Sequence, residues 1–124
     1  MATWLEDEAT VEAYLAAERA FYRSSREVVA ARLRAANVAP EQTISGPASP
    51  YLLYPVPAAA RSTSGTEYLE RCATLAGVLL SDAWPLARQS ARPAGDHVRM
   101  FLGHGQDALL DACDRLERFG LLAN

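Results

Sequence analysis

The arginines are the residues of this chain that most constrain its chemistry, because all twelve lysine-plus-arginine positions are arginine. A guanidinium stays protonated and binds a carboxylate or phosphate through paired N–H···O bonds, whereas only a lysine amine can form an imine with a carbonyl compound. The sequence therefore predicts a chain that can bind an anion but cannot hold a carbonyl cofactor through a Schiff base. A genomic bias toward arginine codons is the alternative explanation of this composition.

The other residues with reactive side chains do not form a recognisable catalytic or metal-binding pattern. His97 and His104 are seven residues apart, with no cysteine or third histidine near them in the sequence, so no metal site is predicted. His104 lies between two glycines before a helix, which favours a plain turn over an anion site at the helix start. Cys72 and Cys113 lie in apolar helical contexts, which predicts buried free thiols.

Length and composition are those of one globular domain, residues 1–124. Half of the residues are hydrophobic, 22% are charged and the net charge is −3. This charge, without a cluster of arginines, argues against a nucleic-acid partner. The acidic start does not resemble a signal peptide, and no apolar run is long enough to span a membrane, so we expect a cytoplasmic protein.

A long amphipathic helix is predicted from about Asp7 to about Ala36. Apolar residues recur at steps of three and four, Asp7 or Thr10 can cap the start, and Asn37 followed by Pro40 ends the helix. At the standard rise such a helix is roughly 45 Å long. Because this length exceeds what the core of a small domain requires, we expect the helix either to contact a second domain or protein chain or to lie along one side of its own domain.

Shorter elements follow the long helix. Three strands are predicted, at 51–54, 78–80 and 98–102, with a helix from a capping box at Ser64–Glu67 to Gly77 and a last helix over 106–119. The sequence thus predicts an α+β fold (an α/β sandwich) of order αβαββα. A small three- to four-stranded sheet carries helices packed on one face, after a long N-terminal helix.

Four stretches, in this order, carry a family pattern. They are YRSSREVV at 22–29, PASPYLLY at 47–54, EYL at 67–69 followed by GVLL at 77–80, and GDHVRMFL at 95–102. Together they cover most of the predicted elements. In order and spacing they resemble the C-terminal small domain of fold type I (class I/II) pyridoxal-phosphate-dependent aminotransferases.

The resemblance implies a substrate-binding role for Arg99. In the family, the arginine of the last stretch holds the substrate α-carboxylate, and a planar guanidinium fixes the orientation of that group. Tyr51 and Trp84 flank the family's substrate side and are the accompanying candidates. The alternatives are an ion pair between Arg99 and Asp96, a core role for Tyr51 and an apolar contact for Trp84.

The resemblance also implies pyridoxal 5'-phosphate, bound only through a partner chain. The family's cofactor lysine and phosphate-binding residues belong to a large domain that the resemblance does not cover. We therefore expect the small-domain subunit of a split aminotransferase-like enzyme, with an amino-acid or keto-acid substrate and no catalytic residue of its own. An apolar patch should drive binding to that large-domain subunit or self-association.

Two departures from the family pattern leave other hypotheses open. Ser49 replaces the family's glycine, and residues 82–86 (DAWPL) replace its P-G-x-x-F after the second strand. Because both changes lie in loops near the substrate, a non-catalytic binding or regulatory module is the alternative. A truncated reading frame is a third possibility.

Overall fold

The computed structural model describes residues 7–38, 50–57, 65–82 and 97–123. Its helices are α1 (Glu8–Ala35), α2 (Gly65–Arg71), which continues as a π-helical segment (Cys72–Ala76), and α3 (Gln106–Arg118). Its strands are β1 (Tyr51–Pro55), β2 (Ser81–Asp82) and β3 (His97–Phe101). The α+β class and the predicted order of helices and strands are confirmed.

Helix α1 begins and ends at the predicted signals. The Asp7 carboxylate accepts hydrogen bonds from the Thr10 backbone N–H at 3.3 Å and from the Thr10 hydroxyl at 2.6 Å. These bonds hold the pKa of Asp7 below its usual value. At the other end Asn37 adopts a left-handed conformation with φ 57°, and the Val38 N–H bonds back to the Leu33 carbonyl at 2.9 Å. This closing turn places Val38 in the core.

The sheet has three antiparallel strands in the order β1-β3-β2. Leu52 lies opposite Met100 and Tyr54 opposite Val98. All four side chains are buried, and they join buried residues of the three helices in one core. Strand β1 lies at one edge of the described sheet, which is one of the two roles, ending the strand or marking an edge, that Pro55 and Pro57 indicate in the sequence.

The predicted strand at 78–80 is wrong. The chain leaves the π-helical segment through Gly77 in a left-handed conformation, and the Val78 N–H bonds back to the Cys72 carbonyl at 3.0 Å. Because residue 78 is still held at the helix end, pairing with β3 begins only at Ser81, which lies opposite Arg99. Leu79, predicted to be buried, is 88% exposed.

The sequence also predicts that Leu69, Cys72, Ala73 and Ala76 of the second helix face inward. Cys72 and Ala76 are buried and Leu69 packs against the core, whereas Ala73 is only partly buried and the fully buried Tyr68 was not predicted. In the last helix the sequence predicts the ion pairs Asp111–Arg115 and Asp114–Arg118. The first forms at 2.9 Å, but Asp114 bonds to Arg32 of α1 at 2.7 Å and not to Arg118. The predicted cap at Ser64 lies outside the described residues.

None of the helices in the described ranges combines the length and the apolar composition that crossing a membrane requires.

Candidate functional site

The side of the sheet that faces away from the core carries Arg99. Opposed residues of an antiparallel pair project to the same side, and the pairs here are Tyr51 with Phe101 and Leu53 with Arg99. These four side chains, together with that of His97, are half-buried or exposed. We refer to this surface, formed by Tyr51, Leu53, His97, Arg99 and Phe101, as the outer face.

Arg99 is held on the outer face by an aromatic ring. Its guanidinium carbon lies 4.6 Å from the centroid of the Tyr51 ring, a cation–π distance. Its Nε is buried and has no hydrogen-bond partner. Within the described part of the chain, no carboxylate lies within ion-pair distance of Arg99. The side chain therefore lies over the Tyr51 ring without a carboxylate partner among the described residues.

His97 contributes a second unsatisfied polar atom two residues from Arg99. Its Nδ1 is buried and has no hydrogen-bond partner. Alternate residues of a strand project to the same side, so His97 and Arg99 lie on one face. Buried polar atoms are normally hydrogen-bonded, so these two nitrogen atoms make β3 the strand on which we look for a binding site; Ser25 Oγ and Arg26 Nε of α1 are in the same state.

A row of aromatic rings extends the outer face beyond Arg99. The Tyr51 and Phe101 ring centroids are 5.4 Å apart, and those of Phe101 and His104 are 5.2 Å apart with the rings nearly perpendicular. Gly103 allows the Phe101 ring to lie against the backbone, because a Cβ there would come 2.2 Å from the ring. The row is suited to contact an apolar or planar group next to an anion bound at Arg99.

Arg26 of α1 supports this site from the edge of the sheet. Its side chain is 9% exposed, and its Nη2 donates to the Tyr51 carbonyl at 3.2 Å. Burial lowers the pKa of the Arg26 guanidinium. Arg26 thus holds the backbone of Tyr51, the residue whose ring Arg99 lies over.

A half-open cavity of about 280 Å³ adjoins the outer face, between residues 77–80, the end of β3 and α3. It forms where residues 77–80 fail to pair with β3. Its lining includes Phe101 of the outer face, His104, Asp111 and Arg115. Asp111 and Arg115 already pair with each other at 2.9 Å. Because these two charges are paired, the cavity is a weaker anion site than the surface around Arg99.

The structure brings together two of the three residues chosen from the sequence. Arg99 and Tyr51 are in contact, and Tyr51 is only partly buried. Trp84 and Asp96 lie outside the described residues, so the predicted role of Trp84 and the alternative ion pair of Arg99 stay predictions. Sequence reasoning missed His97 and Phe101, although their two-residue spacing from Arg99 places them on its face.

No group of three His, Cys, Asp or Glu side chains in the described ranges is arranged to hold a metal ion. Comparison of the sequence with models of known protein families and with curated proteins gives no match.

Proposed function

We propose that this chain is the small-domain subunit of a split, cytoplasmic, aminotransferase-like enzyme. In this proposal Arg99 binds the α-carboxylate of an amino-acid or keto-acid substrate in a cleft shared with a separate large-domain chain. The observation that carries the proposal is the state of Arg99: its Nε is buried and unpaired, and its guanidinium lies 4.6 Å from the Tyr51 ring centroid.

The geometry of Arg99 suits a carboxylate better than a structural ion pair. A guanidinium that rests on an aromatic ring presents the donors along its edge, in the plane that a carboxylate requires. Its charge is partly desolvated, which strengthens an interaction with an incoming anion. The cleft needs a second wall, because the outer face is one side of a sheet and not an enclosed pocket.

Pyridoxal 5'-phosphate does not fit this chain alone. The 124 residues contain no lysine to hold its carbonyl. The cofactor and its lysine would therefore come with the large-domain partner. What this chain contributes is the binding and orientation of a carboxylate.

A non-catalytic carboxylate-binding or regulatory module is the second candidate. It is favoured by the departures from the family pattern at Ser49 and at residues 82–86. A carboxylate-binding module requires an anion at Arg99, as the split enzyme does, but that anion is not turned over; a purely regulatory module does not require an anion there.

The first experiment tests the anion site in the isolated chain. A 2-oxo acid is titrated into ¹⁵N-labelled protein while the backbone amide signals of Tyr51 and Phe101 are followed by NMR. For a site with only one wall we expect saturable shifts with a Kd on the order of millimolar. Arg99→Gln should abolish the shifts. The matched control Arg118→Gln, an exposed arginine at the end of α3, should leave them unchanged.

Equal shifts in the wild type and in Arg99→Gln would reject Arg99 as the carboxylate ligand. The second experiment separates the two candidates. The native chain is purified with whatever binds it, and the complex is assayed for bound cofactor and for transamination. A lysine-containing partner whose activity falls with Arg99→Gln while the complex persists supports the split enzyme. Full activity of the partner alone, or a complex without cofactor, contradicts it.

A further inference from the structure

The half-open cavity beside β3 results from the way in which the π-helical segment ends. If the pairing of β2 with β3 continued by two residues, Leu79 would lie opposite Phe101. The bond from the Val78 N–H to the Cys72 carbonyl at 3.0 Å holds the chain out of that register. A space of about 280 Å³ remains between this segment, the end of β3 and one side of α3. The cavity thus follows from a backbone hydrogen bond and not from loose packing of side chains.

The buried part of the cavity wall is apolar. Met100 of β3 and Leu109 of α3 line the cavity and are each 3% exposed, and Val78 is 8% exposed. On the α3 side the lining residues Ala108 and Ala112 end at Cβ and leave room in front of the helix. An apolar group that enters this space is removed from water against several apolar side chains, which is favourable.

Two aromatic rings, those of Phe101 and His104, also belong to the lining. Their centroids are 5.2 Å apart and the ring planes are nearly perpendicular. Aromatic pairs prefer such edge-to-face or offset-stacked arrangements and gain stability from them beyond the burial of area. A planar aromatic ligand can therefore add a third ring to this pair, whereas an aliphatic ligand of the same volume cannot.

The charged part of the lining is the ion pair of Asp111 with Arg115. Its two side chains are 59% and 47% exposed, so the pair lies at the mouth of the cavity. The Arg115 Nη1 lies 3.5 Å from the position that a Cβ on Gly77 would take, so this side chain extends from α3 across to the opposite wall. A charged ligand would meet a like charge as well as an opposite one. A neutral hydroxyl or N–H group can instead donate to a remaining lone pair of the Asp111 carboxylate.

We propose that this cavity binds a neutral aromatic compound of one or two rings that carries a hydroxyl or N–H group. The rings lie between the apolar wall and Phe101, and the polar group lies at Asp111. An apolar cavity of about 150 Å³ holds a benzene molecule, so the observed volume of about 280 Å³ suits a ligand of this size. Because Arg99 does not line the cavity, the inference does not depend on the proposed function.

The experiment uses phenol as the probe, because it combines one ring with one hydroxyl and is neutral near pH 7. Phenol is titrated into the ¹⁵N-labelled full chain while the backbone amide signals of Leu79, Leu80 and Ala112 are followed by NMR. For so small a ligand in a half-open site we expect saturable shifts with a Kd on the order of 1 mM. Cyclohexanol, which has the hydroxyl but no aromatic ring, should bind at least about threefold more weakly.

The variant Ala108→Leu tests whether phenol lies in the cavity. Position 108 lines the cavity and is exposed on α3, so a larger side chain there should occupy the space without disturbing the core. Because leucine is a good helix former, the helix should persist, and phenol should bind at least about tenfold more weakly. The matched control Ala13→Leu makes the same change at an exposed position of α1 and should leave the Kd unchanged. Arg99→Gln should also leave it unchanged, which separates this site from the carboxylate site.

Circular dichroism checks that each variant keeps its helix content. Nuclear Overhauser contacts from the phenol ring protons to the methyl groups of Leu79 and Met100 locate the ligand in the wild type without any variant, and their absence overturns the proposal. The absence of saturable shifts up to on the order of 20 mM phenol also overturns it. So does unchanged binding by Ala108→Leu, because the ligand would then lie elsewhere. Equal affinities for phenol and cyclohexanol would show that the aromatic rings play no part, which contradicts the proposed ligand class.

Discussion

Two buried tyrosines, Tyr54 of β1 and Tyr68 of α2, form a directional hydrogen-bond chain. The Tyr68 hydroxyl donates to the Leu121 carbonyl at 2.8 Å, and the Tyr54 hydroxyl lies 3.0 Å from the Tyr68 oxygen. Because the single Tyr68 proton is committed to Leu121, Tyr54 must be the donor in the second bond. We therefore expect the substitutions Tyr68→Phe and Tyr54→Phe to have unequal effects on stability.

The difference follows from which groups each substitution leaves unpaired. Tyr68→Phe leaves both the Leu121 carbonyl and the Tyr54 hydroxyl buried without a partner, at about 1–3 kcal/mol each, so the free energy of unfolding should fall by about 2–6 kcal/mol. Tyr54→Phe leaves only a lone pair of the Tyr68 oxygen without a donor, so the free energy of unfolding should fall by about 1 kcal/mol. In the double variant only the Leu121 carbonyl is orphaned, so its loss should be smaller than the sum of the two single losses.

Urea unfolding followed by circular dichroism measures these free energies, and unchanged m-values show that the variants unfold from comparable states. At about 4 °C per kcal/mol, Tyr68→Phe should lower the Tm by about 8–24 °C and Tyr54→Phe by about 4 °C. The reasoning is refuted if Tyr54→Phe costs as much as Tyr68→Phe, or if the two losses add in the double variant.

Two further predictions concern ionisable groups. Burial raises the pKa of the Cys72 and Cys113 thiols to about 11. Because the same thiols ionise at lower pH in the unfolded chain, the free energy of unfolding should fall between about pH 9 and pH 11. Cys72→Ala removes one of the two thiols and should make this fall with pH less steep. Unfolding by urea at a series of pH values checks this, and a flat profile would contradict it. Arg32→Gln removes the ion pairs of Arg32 with Asp114 at 2.7 Å and with Glu117 at 2.8 Å. Because these side chains are partly exposed, we expect the free energy of unfolding to fall by about 1 kcal/mol, and by less in high salt. Thermal melts at low and high ionic strength measure it, and an equal loss at both would show that charge is not the cause.

Local sequence signals were sufficient to predict helix α1 and strands β1 and β3. The Asp7 cap and the three- and four-residue spacing of apolar side chains specify a helix without reference to the rest of the chain, and the observed limits differ from the predicted ones by one residue. The apolar run at 78–80 looked like a strand, but a strand also needs a partner in register. The bond from Val78 to Cys72 delays pairing with β3 until Ser81, and no local pattern contains that information.

The candidate site could be predicted only in part for the same reason. Arg99 came from a resemblance, and its contact with Tyr51 depends on the register that sets Leu53 opposite Arg99. Register is a long-range property that joins residues almost fifty positions apart. The alternation of His97, Arg99 and Phe101 on one side of β3 was readable from the sequence, whereas the burial of the His97 and Arg99 nitrogen atoms was not.

The bond from Arg26 to the carbonyl of Tyr51 also has a consequence for strand pairing between molecules. Tyr51 belongs to an edge strand, and its carbonyl points outward, where the strand of another molecule could continue the ladder. A charged side chain from α1 occupies that acceptor and places a cation where an incoming backbone would have to lie. Open-ended growth of the sheet is thus opposed at this edge.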